Sequence, residues 1–145
     1  MDSDLAESIS ALKSSLEARR LGATFGKADA ELVRALHQKL RIPRRYREFL
    51  AECDPVAAEA VTPAERIRLI PAAKLEEEQV GFAMSDDART LISSPRPNGW
   101  RPAWVIIAHS ALLGDPYFLD TSRPDPEGDS PVYTAMSGTE TWQPR

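Results

Sequence analysis

Trp104-Val105-Ile106-Ile107-Ala108, Tyr117-Phe118-Leu119 and Pro131-Val132-Tyr133-Thr134 are three short β-branched or aromatic runs in series. Gly114-Asp115-Pro116 and Asp125-Pro126-Glu127-Gly128-Asp129 separate them. Both separators are turn chemistry: glycine admits positive φ, proline fixes φ, and aspartate hydrogen-bonds its own backbone. Runs of this kind between such clusters read as strands, so the C-terminal half predicts an antiparallel meander. The connection from His109 to Pro116 is short enough for a hairpin loop, which makes Trp104 to Ala108 and Tyr117 to Leu119 expected antiparallel neighbours. Ile106, Phe118 and Val132 are its expected core positions.

Upstream of the meander, Ser93-Ser94-Pro95-Arg96-Pro97-Asn98-Gly99 is loop by composition, and Ala72 to Gln79, rich in Ala, Leu and Glu, predicts a short helix. Arg66-Ile67-Arg68-Leu69-Ile70 alternates polar and apolar positions before Pro71, as a half-buried strand does. Ala57 to Val61 is ambiguous between helix and strand. Earlier still the period becomes helical. Leu5, Ile9, Leu12 and Leu16 follow an acidic capping box at Asp4 and Glu7, predicting a helix to about Arg20 that Gly22 ends. Beyond a connector containing Gly26, Asp29 caps a second helix striped by Leu32, Val33, Leu36 and Leu40. Arg41-Ile42-Pro43 interrupts it. Pro43 then opens a third helix, with Tyr46, Phe49 and Leu50 facing a core, and Asp54-Pro55 closes it. Helices first and strands later, without βαβ alternation, predict an α+β fold with the N-terminal helices packed on one face of a mostly antiparallel sheet.

At 145 residues the chain has room for one domain, 1–145, and its 42% hydrophobic and 28% charged residues are those of an ordinary soluble domain. The longest apolar run, Ala103 to Ala108, is far short of the about 20 residues that span a bilayer. Met1-Asp2-Ser3-Asp4 carries no basic or apolar leader pattern. No membrane contact and a cytoplasmic location are therefore expected. The single Cys53 suits a reducing compartment and excludes an internal disulfide.

Net charge is −4, unevenly spread: residues 1–50 carry ten basic and seven acidic side chains (+3), and residues 51–145 eight and fifteen (−7). Phosphate contacts need clustered Lys and Arg, so no nucleic acid is expected as a partner. A basic protein partner is expected instead. The one basic cluster, Arg41, Arg44, Arg45 and Arg47, reads as a solvated helix face.

No residue is assigned to catalysis. His109 and Ser110 are adjacent on a strand and point to opposite faces, there is no Gly-x-Ser-x-Gly elbow, and His37 is the only other histidine. Cys53 lies near a helix C-terminus, where the dipole raises a thiol pKa. Asp115, Asp120, Asp125, Glu127 and Asp129 crowd fifteen positions, but counting back from Gly128 puts Arg123 where a calcium loop needs its first oxygen ligand. With no phosphate loop either, no metal and no cofactor are expected. These five carboxylates form a predicted acidic rim. Of the tryptophans, Trp104 belongs to the predicted core, and Trp100 joins the five carboxylates as the candidate partner-binding set.

Ile42-Pro43-Arg44-Arg45-Tyr46-Arg47-Glu48-Phe49-Leu50 resembles the Leu-Pro-x-x-Tyr-x-x-Phe-Leu helix of the SUKH superfamily. The superfamily joins a fungal cell-wall assembly regulator to many bacterial immunity proteins. Trp100-Arg101-Pro102-Ala103-Trp104-Val105-Ile106-Ile107-Ala108, Gly114-Asp115-Pro116-Tyr117-Phe118-Leu119-Asp120 and Pro131-Val132-Tyr133 resemble its strand pair, Gly-Asp turn and closing strand. The resemblance covers roughly residues 29 to 142 and leaves residues 1–26 as a helix and connector outside it. Two departures stand out. The turn near Asp54 lacks an Asn-Gly-Gly-like sequence, and the chain stops at Arg145 where members commonly continue into a C-terminal helix, which implies a truncated or diverged member. The resemblance implies a non-enzymatic binding protein that neutralises a basic toxin domain by steric and electrostatic occlusion, or alternatively a regulatory scaffold like the fungal relative.

Overall fold

The computed structural model describes residues 3–18, 24–57, 59–61, 66–85, 90–126, 128–135 and 142. Among the described residues four helices, α1 (Ser3–Ala18), α2 (Ala30–Leu40), α3 (Arg44–Cys53) and α4 (Ala72–Glu78), accompany seven strands. β1 (Thr24–Gly26) pairs with β2 (Asp54–Ala57) in a small ribbon. β3 (Glu59–Val61), β4 (Arg66–Leu69), β5 (Trp104–Ser110), β6 (Pro116–Asp120) and β7 (Val132–Thr134) form the main sheet in that spatial order, each antiparallel to its neighbour. The α+β fold and the β5–β6 pairing agree with the sequence. The three-residue β1 is an addition: so short a strand has no period to read, and its partner is distant in the chain.

Local chemistry sets the helix ends, with some shifts from expectation. α1 begins at Ser3, so Asp4 lies inside the first turn, and Ser8 Oγ donates to the Asp4 carbonyl at 3.0 Å. Asp29 occupies the N-cap position of α2 without a side-chain cap bond. α2 buries Val33, Leu36 and Leu40 and ends on Arg41 in the left-handed region (φ 54°). Pro43 sits at the N-cap of α3, one residue earlier than expected. The first N–H of α4 is capped from a distance, as Ala72 donates to Asp54 Oδ1 at 2.8 Å.

Directly opposed residues on neighbouring strands share a face, so Val105, Leu119 and Val132 form one row and Ile106, Phe118 and Tyr133 the other. α1 and α3 lie over the first row, as expected for the N-terminal helices. The second row is covered too, by Gln79 against Ile106 and by Trp100, with Phe82 beside it, against Phe118. Burial on both faces explains why β5 reads as a continuous apolar run. Gln79, fully buried, fixes this second layer: its amide donates to the Leu75 and Ile106 carbonyls and its Oε1 accepts the Ile106 N–H, all at 2.8 Å. β4 ends at Leu69, opposite Ala108, and the side-chain amide extends the ladder where the strand stops.

Two expected positions are corrected. Val132 is 53% exposed, because β7 is an edge strand of three residues and covers only one side of it. Trp100, expected as a surface anchor, is 0% exposed. Its ring lies 5.0 Å from those of Phe82 and Phe118 and 5.4 Å from that of Trp104, at the centre of the second layer. The Ser93–Gly99 loop is irregular as predicted and is tied inward by Arg96, whose guanidinium donates to the Phe82 and Met84 carbonyls at 2.7 Å.

Candidate functional site: an acidic loop beside an apolar cavity

The carboxylates predicted as one rim separate into two groups. β6 carries Asp115 just before its first residue and Asp120 at its last, a separation of about 17 Å at strand rise. Asp115 is buried at the β5–β6 loop, where its carbonyl accepts the Ser110 N–H at 2.8 Å. Asp120 is buried at the opposite end and serves the following turn, accepting from the Ser122 N–H at 3.1 Å and the Ser122 hydroxyl at 2.5 Å. Arg123 stands 3.6 Å from its second oxygen. Glu127 lies outside the described residues.

Asp125 and Asp129 shape the β6–β7 loop. Asp125 exchanges backbone hydrogen bonds with Asp129 and Gly128, and its Oδ1 accepts the Asp129 N–H at 2.9 Å. This leaves Asp125 exposed on a closed, hydrogen-bonded turn. The loop then docks on the start of α3. Arg45 donates its N–H to the Gly128 carbonyl at 3.0 Å, and its guanidinium is 3.7 Å from both Asp129 Oδ2 and Asp4 Oδ2. Part of the basic cluster read as a solvated face is thus the counter-charge of the acidic loop.

Gly128 makes that docking feasible. Its φ is +81°, and a Cβ there would lie 2.8 Å from Arg44 Nε. Gly128→Ala is expected to destabilise the chain by about 1 to 2 kcal/mol, the penalty of a left-handed non-glycine residue, with Arg44 swinging aside. Urea denaturation measures this, and an unchanged midpoint would contradict the docked loop.

Beside the loop an apolar cavity of about 280 Å³ opens between α1, α3 and the sheet. Leu5 and Leu12 of α1, Tyr46 and Phe49 of α3, and Leu69, Ile107, Leu119 and Val132 of the sheet line it, with Arg45 and Asp129 as charged wall residues. Burial and the Asp54 carboxylate push the Tyr46 phenol pKa well above its ordinary value. Sequence reasoning missed this cavity, since its lining comes from seven elements, Pro55 of β2 included.

The residues weighed for catalysis are occupied structurally. His109 Nε2 is 3.1 Å from Glu78 Oε2 and Nδ1 is 3.3 Å from the Gly114 carbonyl, whereas Ser110 Oγ accepts the Leu113 N–H. Both residues belong to β5, not to the connection after it. His37 Nδ1 is 3.1 Å from the Ile42 carbonyl. Cys53 is buried and free, and its thiol pKa is raised by burial first and by Asp54, against an opposing effect of Lys13. Among the described residues no His, Cys, Asp or Glu cluster is arranged to hold a metal ion, and no helix is long and apolar enough to cross a membrane.

Against known proteins, the model of the SMI1 / KNR4 family (SUKH-1) matches residues 27–144. Neither the curated proteins nor the solved structures contain a match.

Proposed function

Since this chain belongs to the SMI1 / KNR4 family (SUKH-1), we propose that it works by binding another protein, and that this partner is a basic toxin domain which it neutralises by occlusion in the cytoplasm. The observation that carries the reading is the β6–β7 loop, which holds the exposed Asp125 on a hydrogen-bonded turn at the edge of an apolar cavity. Such a site offers charge for encounter and apolar surface for residence. Toxin nucleases are commonly basic because they engage phosphate backbones, so a carboxylate-bearing loop both steers them and covers the groups that substrate contacts. Asp125, Asp129 and Glu127 are the proposed contacts, with Asp120 holding the adjacent turn and Asp115 belonging to the far end of β6.

Affinity capture with the tagged chain from its source cell identifies the partner. One dominant, stoichiometric, basic protein supports neutralisation, and many weak partners support a regulatory scaffold. With the partner in hand, Asp125→Lys combined with Glu127→Lys is expected to slow association more than it speeds dissociation, because rim charges act on encounter. Raising salt shortens the screening length from about 10 Å at 0.1 M to about 3 Å at 1 M, so wild-type association should slow toward the variant's rate. Stopped-flow mixing at the two salt concentrations measures both. Equal association rates for wild type and variant at low salt would remove the loop from the interface.

A further inference from the structure

His109 stands between two oxygens that accept hydrogen bonds and cannot donate them. Its Nε2 is 3.1 Å from Glu78 Oε2 at the end of α4, and its Nδ1 is 3.3 Å from the Gly114 carbonyl in the β5–β6 loop. A neutral imidazole carries one N–H and one lone pair, so it bonds one of these oxygens and turns a lone pair on the other, whereas the imidazolium has two N–H groups and bonds both. The ring therefore joins β5, α4 and the loop together only when it holds a second proton. Other bonds fix the root of the loop: Ala111 donates its N–H to the Arg66 carbonyl at 3.0 Å, Leu113 to Ser110 Oγ at 3.2 Å, and Gly114 to the Ser110 carbonyl at 3.0 Å. The Gly114 carbonyl is the loop's link to His109 and, through the ring, to α4. Gly114 has φ +74° and open space where a Cβ would stand, so its peptide group has room to turn once that link is lost.

We propose that His109 is a proton-operated clasp: protonation closes the β5–β6 loop against β5 and α4, and loss of the proton releases the Gly114 carbonyl. A carboxylate is the stronger acceptor, so the neutral ring keeps its N–H on Nε2 for Glu78 and points the Nδ1 lone pair at the Gly114 oxygen, where the two repel. Charged groups approach the ring from each neighbouring element. Glu78 of α4 favours the proton, and Lys74 lies one turn before Glu78 on that helix. Arg68, directly opposite His109 on β4, opposes the proton, with Arg66 two residues away on the same face. Pro116, opposite on β6, is uncharged, and Asp115 before it is buried. Closing takes up a proton, so the closed loop gains as pH falls and loses as pH rises through the range where histidine changes charge. The clasp controls the tip of the loop. Leu112 is 87% and Leu113 66% exposed, and a closed loop presents them in one arrangement where an open loop presents them in many. This loop lies at the opposite end of β6 from Asp125 and Asp129, so the clasp and partner binding stand or fall separately.

Nuclear magnetic resonance of the full chain, labelled with nitrogen-15, tests this at about pH 5.5 and about pH 8, on either side of histidine's charge change. At the lower pH both His109 ring nitrogens are expected to carry protons, and at the higher pH the single N–H is expected on Nε2. Over the same interval exchange of the Leu113 and Gly114 amides, corrected for the intrinsic effect of pH, should quicken by about three- to tenfold, the equilibrium worth of one hydrogen bond, while the Phe118 amide holds steady. Glu78→Gln separates the clasp from packing. The new amide can donate to Nε2, which leaves the neutral ring its N–H on Nδ1 for Gly114, so the tautomer should reverse and the loop should stay protected at both pH values. His109→Asn, whose side-chain amide donates without titrating, should also remove the pH dependence. The side chains of Glu78 and His109 are 40% and 28% exposed, so both variants should keep the native circular dichroism spectrum. A predominant Nδ1–H tautomer in the wild type at the higher pH, loop protection that does not fall as pH rises, or a pH dependence that survives Glu78→Gln would each overturn the proposal.

Discussion

Trp100→Ala is expected to destabilise the chain by about 3 to 5 kcal/mol, the range for removing a large aromatic side chain from a packed core. Trp100 is the hub of the second layer, with ring centroids of Phe82, Trp104, Phe118 and Trp142 all within 5.6 Å, and its Nε1 donates to the Trp104 carbonyl at 3.2 Å. Truncation opens a cavity bounded by rigid rings that cannot collapse into it, and it removes a donor from a buried carbonyl. Thermal melting should register the loss, and near-ultraviolet circular dichroism should lose the signature of the coupled rings. An unchanged melting curve would return Trp100 to the surface as a partner-binding candidate.

Gln79→Leu is expected to cost about 3 to 5 kcal/mol, although it keeps the volume and adds apolar character. The change leaves the Ile106 N–H and the Ile106 carbonyl without the bonds that Gln79 gives them, and each buried orphan costs about 1 to 3 kcal/mol. For a domain of this size the melting temperature should fall by about 10 °C. Gln79→Glu keeps an acceptor for the Ile106 N–H and loses the donors, so pH sorts the two roles. If Gln79→Leu melts with the wild type, the amide is not completing the ladder.

The parts of this structure that sequence revealed are those whose cause is local. β5 and β6 follow from a β-branched run, a turn rich in Gly, Asp and Pro, and a second run close by, and α2 and α3 from apolar positions at helical spacing. What stayed hidden depends on contacts between distant positions. Gln79 closes a helix by composition and shows its role only when Ile106 is beside it. Arg44 and Arg45 read as a wet helix face because nothing near them in the chain predicts Gly128. Trp100 stood among the partner-binding candidates, but the four-residue step to Trp104 brings two large rings together and was the available signal. The acidic loop was legible as a loop and as acidic. Its division from Asp115 was not, because closeness in number conceals a strand running away.

The placement of α1 bears on how the sheet face is reached. This helix precedes the region matched by the family, yet it supplies one wall of the cavity, and among its described side chains Ile9 alone is buried. Judged on its described side chains, α1 is expected to open at a lower free energy than the central strands. Its amides should therefore exchange with solvent faster than those of β5. Lifting α1 would take the Leu5 and Leu12 wall away from Leu119 and Val132 with α3 still in place, and so would widen the cavity into a groove. Any ligand that needs the whole groove has an apparent affinity scaled by the fraction of time α1 is away, and changes in α1 alone can then tune binding with every contact residue left in place.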